Sequence, residues 1–523
     1  MTMVARLVAL VAGLASITSL AFADSLTDIH ARRQLVWGAD QEGGGPYVYP
    51  RDDDPSRVTG FEVELAERLA RALGVSAVFQ QGPWDRMPDL LRTNKIDVVL
   101  NGYEWSEPRL EVMDATIPYY VYGLQLLART GDAETSSWSD LEAEAARGRR
   151  RKVGVLTGSA AESYLRERPD LAVEIVSYDG NTDALREVET GKLDATLQDT
   201  PIVAFYAPRF PGLRRIGDPV GLGHYVMYAR KGEHALVSAL NEAIRAMLKS
   251  GDLERLYRRW GLWNDAQGEL LRIADAGRFY GYGASATAAP DDAPAQGAVQ
   301  PSARPHGLEV VQRYGAILLQ SAGLTVILSL LSFPLAIGIG LGVALGRLFG
   351  PPWLRPLLGG YVEFLRGTPL MLQLYFIFFF LPEVGVNVPA FWTAIFGLAI
   401  NYSAYESEIY RAGLQAIPAG QMEAALSLGM SRALAIRRIL VPQAVRIVVP
   451  PVVNDFIALF KDTSVCSVVT LVELTKRFSV LSQSTQATIE LMVLTALLYL
   501  LMSAPLAYAS RRLERRLSRE AAT

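Results

Sequence analysis

Side chains able to hold or exchange charge gather in two parts of this 523-residue chain. In the first part, Arg109 follows the apolar run DVVLNGY and the turn WSEP, and its planar guanidinium can donate two parallel hydrogen bonds to a carboxylate. Asp40 and Glu42 stand in the Gly-rich loop DQEGGGPY, Glu104 in the turn after DVVLNGY, and Asp199 at the end of LDATLQD. Carboxylates facing a closed cleft are tolerable when paired or hydrogen-bonded, so a set of them favours a cationic or amide guest and repels an acidic one. A turn cap for Asp40 and a water-facing Glu42 are the alternative.

In the second part, QMEAALSLGMSRALAIRRILVP (Gln421–Pro442) sets Met422, Ala425, Leu426, Gly429 and Met430 on one helical stripe. Gly429 then reads as a helix stop, and Ser431 as the N-cap of a second short helix carrying Arg432, Arg437 and Arg438. DNA readers share this spacing, but recognition needs a helix free to enter the major groove, and strongly apolar segments pin this one on both sides. An amphipathic loop lying on the lipid surface is the stronger alternative. The net charge of −3 gives no basic excess for nucleic acid. No Gly-x-x-x-x-Gly-Lys-Ser/Thr loop that would cradle nucleotide phosphates occurs in the sequence.

The elements that must position these groups differ between the two parts. Half of all residues are hydrophobic, with a mean hydropathy of +0.17, so part of the chain belongs in lipid. Residues 1–23 carry Arg6, a short apolar run and Ala21-Phe22-Ala23, the pattern of a signal peptide or an uncleaved signal anchor. Residues 24–263 alternate strand-like runs (RQLVWGAD, DVVLNGY, KVGVLTGS, LDATLQD) with helical ones (GFEVELAERLARALG, DALREVETG), which predicts an α/β domain with mostly parallel sheets. In such sheets function gathers at the carboxyl ends of the strands. Residues 264–305 turn to Ala, Gly, Pro and Asp, as a tether would.

Residues 306–523 form an all-α membrane domain with about five spans, near Ile317–Leu345, Pro369–Leu381, Phe391–Tyr410, Val445–Val469 and Ile489–Tyr508. Five crossings from an exported first half would leave RRLERRLSR on the inner side, where the orientation rule wants positive charge. Glu406, Glu408, Asp455, Lys461 and Asp462 fall inside these spans and need either a partner or a function. Cys466, the single cysteine, excludes an intrachain disulfide and reads as packing.

The stretch EAALSLGMSRALAIRRILVP resembles the EAA loop of ATP-binding-cassette importer permeases, with Glu423, Ala424, Ala425, Gly429, Ile439 and Pro442 on the pattern and Val441 in place of its Leu. EFLRGTPLMLQLYFIFFFLP, YESEIYRAGLQAIPAGQ and FKDTSVCSVV are similar to the histidine/glutamine-type permeases of the polar amino acid branch. The first half resembles the family 3 periplasmic amino acid binding proteins through GFEVELAERLARALG, WDRMPDLLRTNKIDVVLNGYEWSEPR, VGVLTGSAAESYL and LDATLQD. Together these likenesses imply a two-lobed capture domain fused to a permease in a bacterial inner membrane, capture side outward, importing a polar amino acid. A ligand-gated channel or a non-transporting amino acid receptor is the alternative.

The resemblance also implies roles. Arg109 corresponds to the arginine that holds the ligand carboxylate, although Pro108 lies one place later than in the usual Thr-Pro-Glu-Arg. Asp199 corresponds to the aspartate that takes the α-ammonium, with the Gly102 carbonyl as a second acceptor, and Ser159 belongs to the turn whose N–H groups help hold the carboxylate. Trp84 takes the aromatic position that stacks on the ligand, or else is a core residue; Gly44 stands where a second aromatic is usual. The chain itself would need no cofactor or metal and perform no catalysis. ATP would be used by a separate cytoplasmic ATPase dimer docked at Gln421–Pro442, and two permease chains, more simply identical, would complete the path.

Overall fold

The computed structural model describes residues 25–522 except 133–134, 136, 142–149, 172, 179, 277–304 and 486. The chain divides into two compact units, Met1–His306 with Ser479–Thr488, and Gly307–Phe478 with Ile489–Thr523. In the first, the described strands build two five-stranded sheets and a two-stranded one, Tyr49–Pro50 with Val58–Thr59. Strands β1 (Gln34–Ala39), β2 (Tyr49–Pro50), β3 (Val58–Thr59), β4 (Ser76–Gln81), β5 (Val98–Val99) and β6 (Met113–Ala115) come before the chain crosses between lobes. Strands β7 (Tyr120–Arg129), β8 (Arg151–Leu156), β9 (Val173–Tyr178), β10 (Ala195–Asp199) and β11 (Leu213–Tyr225) follow the crossing, and β12 (Tyr228–Arg230) returns.

The sheet orders are β4-β1-β5-β12-β6 and β11-β7-β10-β8-β9. Pairing is parallel for β1 with β4 and β5, and for β8 with β9 and β10. It is antiparallel where β12 meets β5 and β6, and where β7 meets β10 and β11. The parallel sheets expected from sequence therefore carry antiparallel strands at each crossing, because a strand arriving from the other lobe enters without a helical crossover. The two crossings, 116–119 and 226–227, lie side by side: Thr116 N–H donates to Met227 O at 2.9 Å and Tyr119 N–H to Tyr225 O at 3.0 Å. Two short paired segments of this kind are the geometry of a hinge.

The helix Phe61–Ala72 shows why the first lobe closes as it does. Phe61, Leu65 and Leu69, spaced by four, are buried against the sheet. Its preceding Gly60 has φ +145°, and a Cβ there would meet Tyr47 O at 1.8 Å, so only glycine fits.

Residues 264–276, which composition assigns to the tether, are a turn at Asp265–Gln267 and a helix at Gly268–Ala276. Leu270 and Ala274, one helical turn apart, are buried, and the Gln267 amide exchanges hydrogen bonds with the Val121 backbone at 3.0 and 2.8 Å. Leu270 and Ala274, with the half-buried Ala266, are the apolar residues that hold the segment, too few to stand out from its Ala and Gly content. The rest of the tether, 277–304, and the signal segment 1–23 lie outside the described residues.

The second unit is helical, and each apolar segment named from the sequence falls on a helix. Among the described residues, three helical stretches are long and apolar enough to cross a membrane: Leu308–Phe349, Arg432–Val469 and Thr488–Arg512. Leu354–Gly367 and Leu370–Val384, bent by 108°, make a fourth if the pair is one span. The helix Ala390–Gln415 does not reach that apolarity because its second half is polar, yet Asn401, Ser403, Glu406 and Ser407 there are buried inside the unit. Polar groups turned to the protein interior escape the cost of facing lipid. Glu408 pairs with Arg347 and, at 2.6 Å, with Arg411. Gly340 lies so close to this helix that a Cβ would meet Glu406 Cβ at 2.7 Å, the close packing that small residues permit. Cys466 is buried.

The turn within Gln421–Pro442 forms as its residues dictate. Helix Ala419–Ser427 ends at Gly429, whose φ is +80°, with Met430 N–H returning to Ala425 O at 3.1 Å. The Ser431 hydroxyl then accepts from Leu434 N–H at 3.3 Å and caps the next helix. That second helix is not short: it runs on through Pro442 into the span.

Candidate functional site

The carboxyl ends of β4, β5, β8, β9 and β10 open on one pocket between the two lobes of the first unit, as expected of such sheets. Its volume is about 420 Å³ including the open mouth. Trp84, Gly102, Glu104, Ser159 and Asp199 line it, together with Tyr47, Asn101, Asn181 and Gln198. Among the described residues, Glu104 and Asp199 are its acidic lining, and no Lys, Arg or His lines it.

Arg109 lies just behind this wall. It sits in the first turn of the helix Glu107–Val112, with Ser106 at the N-cap making no side-chain cap bond. Its guanidinium donates to the Glu104 carboxylate at 2.8 Å and backbone oxygen at 2.6 Å, and reaches Gly158 O in the other lobe at 3.3 Å. It also rests over the rings of Tyr103 at 4.6 Å and Trp84 at 5.3 Å. Burial works against the guanidinium charge, but the Glu104 carboxylate outweighs it and raises the Arg109 pKa. The second Glu104 oxygen accepts Ala160 N–H at 2.9 Å, so one carboxylate joins donors from both lobes.

Across the pocket, Asp199 ends β10 and accepts the Tyr225 hydroxyl, which is 2.7 Å from the Tyr47 hydroxyl. Burial, then the nearby Glu104 charge, pushes the Asp199 pKa up, against the Tyr225 bond, which lowers it. The Trp84 indole N–H donates to Asn101 O at 3.1 Å, and its ring lies 4.6 Å from that of Tyr103. Gly102 has φ +59°, and a Cβ there would meet the Tyr47 ring at 3.0 Å. Ser159 caps the helix Ala160–Arg166 by accepting Glu162 N–H at 3.3 Å.

Asp40 and Glu42 are not in the lining. The Asp40 carboxylate accepts from Glu42 N–H at 3.0 Å, Gln81 Nε2 at 2.8 Å and Trp84 N–H at 3.1 Å, so it fastens two loops and caps a turn. The residues that sequence reasoning passed over are Tyr47, Tyr225, Asn181 and Gln198. Tyr47 had a signal: it stands in the same DQEGGGPY loop and supplies an aromatic ring where Gly44 has none.

In the second unit, the Gln421–Pro442 turn is open to its surroundings. Leu426, Leu428, Leu434 and Ile436 are exposed, Leu428 to 83%, and Ala425 is buried. An apolar, uncovered patch of this kind marks a contact surface.

Residues 35–262 match the model of bacterial extracellular solute-binding proteins, family 3, and residues 337–519 that of the binding-protein-dependent transport system inner membrane component. The first half is similar to an L-cystine-binding protein of Escherichia coli, 33% identical over 255 residues, 48% of this chain and 91% of that protein. The second half is similar to an L-cystine transport system permease protein of Bacillus subtilis, 34% identical over 211 residues, 40% of this chain and 90% of that protein. It is also 35% identical over 198 residues to a probable glutamine ABC transporter permease protein of the same organism, 37% of this chain and 90% of the relative.

Proposed function

The chain belongs in its first half to the family 3 extracellular solute-binding proteins and in its second to the inner-membrane components of binding-protein-dependent transport systems, and on that premise we propose how one polypeptide serves both steps. Its function is amino acid import through an ABC system, carried out by a multi-pass protein of the inner membrane. The first unit stands on the outer side, takes a polar amino acid between its lobes and closes over it, which the paired hinge segments permit. Asp199 and the Gly102 carbonyl receive the α-ammonium. Arg109 and the N–H groups of the 158–160 turn serve the carboxylate. Trp84 and Tyr47 flank the ligand's stem.

The observation that carries this reading is the convergence of Asp199, Glu104 with Arg109 behind it, and Ser159 on one pocket at the ends of β10, β5 and β8. An ammonium and a carboxylate on one carbon need fixed partners of both signs close together, and Arg109 beside Glu104, with Asp199 across the pocket, supports the reading. The binding unit and the permease unit are not catalytic types, and the sequence has no phosphate-cradling loop, so the energy comes from a separate ATPase. That ATPase docks on the exposed turn bearing Glu423, Ala424, Gly429 and Pro442. Two copies of the permease unit form the path.

Vesicles holding this chain and its ATPase test the proposal, with a panel of labelled amino acids that includes L-cystine, arginine, glutamine and glutamate. ATP-dependent accumulation of one of them is expected. Entry without ATP would indicate a channel, and binding without entry a receptor; either overturns it.

A further inference from the structure

Glu104 has an arrangement that capture alone does not require. Its side chain is 5% exposed, and both oxygens are engaged, one by Arg109 Nη1 at 2.8 Å and the other by Ala160 N–H at 2.9 Å. These donors come from different lobes, and both are groups that a ligand carboxylate would use. The protein's own carboxylate already holds them. Asp199 adds a second acidic group to the same pocket, close enough to feel the Glu104 charge. A guest carboxylate must therefore share or take over donors from Glu104, and every further negative charge it brings meets two carboxylates with no cation among the described lining residues. A cationic side chain reverses the sign of that interaction, because a displaced Glu104 gains a partner.

We propose that Glu104 is the specificity-determining residue of this pocket, an internal stand-in for the ligand carboxylate that favours amino acids with a cationic side chain and rejects those with a second carboxylate. The proposal rests on the reading that this pocket is the capture site. It assigns to one residue the selectivity that the sequence spreads over Asp40, Glu42 and Glu104, since the first two are spent on loop contacts or lie outside the lining.

The full chain in lipid nanodiscs is titrated calorimetrically with arginine, glutamine and glutamate, as wild type, Glu104→Gln, Glu104→Thr and Asp199→Asn. The wild type should prefer arginine to glutamate by at least tenfold. Both Glu104 variants should shrink that ratio at least tenfold, chiefly by binding glutamate more tightly. An unchanged ratio, a uniform weakening of all three ligands, or a wild type that takes glutamate as readily as arginine overturns the proposal. Asp199→Asn separates the two levels. If it abolishes binding while the Glu104 variants leave the ratio alone, the specificity role fails and the capture site stands; if it changes nothing, the capture site itself is wrong.

Discussion

Gly102 donates its backbone N–H to Oε1 of Glu62 at 2.8 Å, so the loop that lines the pocket is held from behind by a fully buried carboxyl group. Tyr119, at the hinge, donates its hydroxyl to the same oxygen at 2.5 Å. Burial pushes the Glu62 pKa up to about 8, and these two hydrogen bonds only moderate it. The folded unit thus favours the protonated acid. Its contribution is fully present below the unfolded-state value near 4.5 and is lost as pH rises through about 8. Unfolding of the first unit should therefore become easier across that window, by at most about 1.4 kcal/mol per pH unit from this group. Calorimetric scans of wild type and Glu62→Gln between these limits check it. The stability difference between the two should vary with pH; a constant difference would show that Glu62 is ionised in both states.

Arg109 is expected to be the costliest single loss for capture. Arg109→Ala removes the fork and leaves Glu104 buried with Ala160 N–H as its remaining partner at the pocket wall. Losing the charge-assisted pair between this fork and a ligand carboxylate costs on the order of 3 kcal/mol, more than a hundredfold in affinity. Arg109→Lys keeps the charge but neither the fork nor the stacking on Tyr103 and Trp84, so it should recover only part. Calorimetry on the full chain decides, and micromolar binding retained by Arg109→Ala would refute the assignment.

How far the sequence foretells such details depends on whether a function leaves a local mark. Strand ends, the Gly429 stop and the Ser431 cap are local, and all were legible because each needs a particular residue type at a particular backbone angle. Asp40 was not. A carboxylate in a Gly-rich loop looks the same whether it faces a guest or fastens a turn, and what decides is Gln81 and Trp84, about forty residues away. The bridging of two lobes by Glu104 is likewise invisible, because Ala160 contributes through its backbone N–H, which every non-proline residue has.

The turn at Gly429 should separate capture from coupling. A Cβ there meets nothing within 4 Å, so a substitution acts through the backbone angle of +80° and not through a clash. Gly429→Val disfavours that angle by about 1–2 kcal/mol and should reshape the exposed turn without reaching the pocket. Ligand affinity should stay within twofold, while ligand-stimulated ATP hydrolysis by the reconstituted transporter falls several-fold. Hydrolysis that remains fully stimulated would remove the turn from the coupling path.

Proton release on capture is the last expectation, and it follows from Asp199. In the empty pocket, burial and the Glu104 charge hold its pKa above the ordinary carboxylate range, so a fraction of the group carries a proton at neutral pH. An α-ammonium placed against Asp199 favours the ionised form and lowers that pKa, so binding must expel the proton. By linkage, affinity should rise with pH between the liganded and the empty-site values and level off above the latter, at no more than tenfold per unit. Tyr225 sharpens the test. Its hydroxyl bond lowers the Asp199 pKa, so Tyr225→Phe should move the window to higher pH and enlarge the release at neutrality. Titrations in two buffers of different ionisation enthalpy measure the proton count directly. Release in the wild type, more in Tyr225→Phe and none in Asp199→Asn is the expected order; equal counts in all three would place the ammonium away from Asp199.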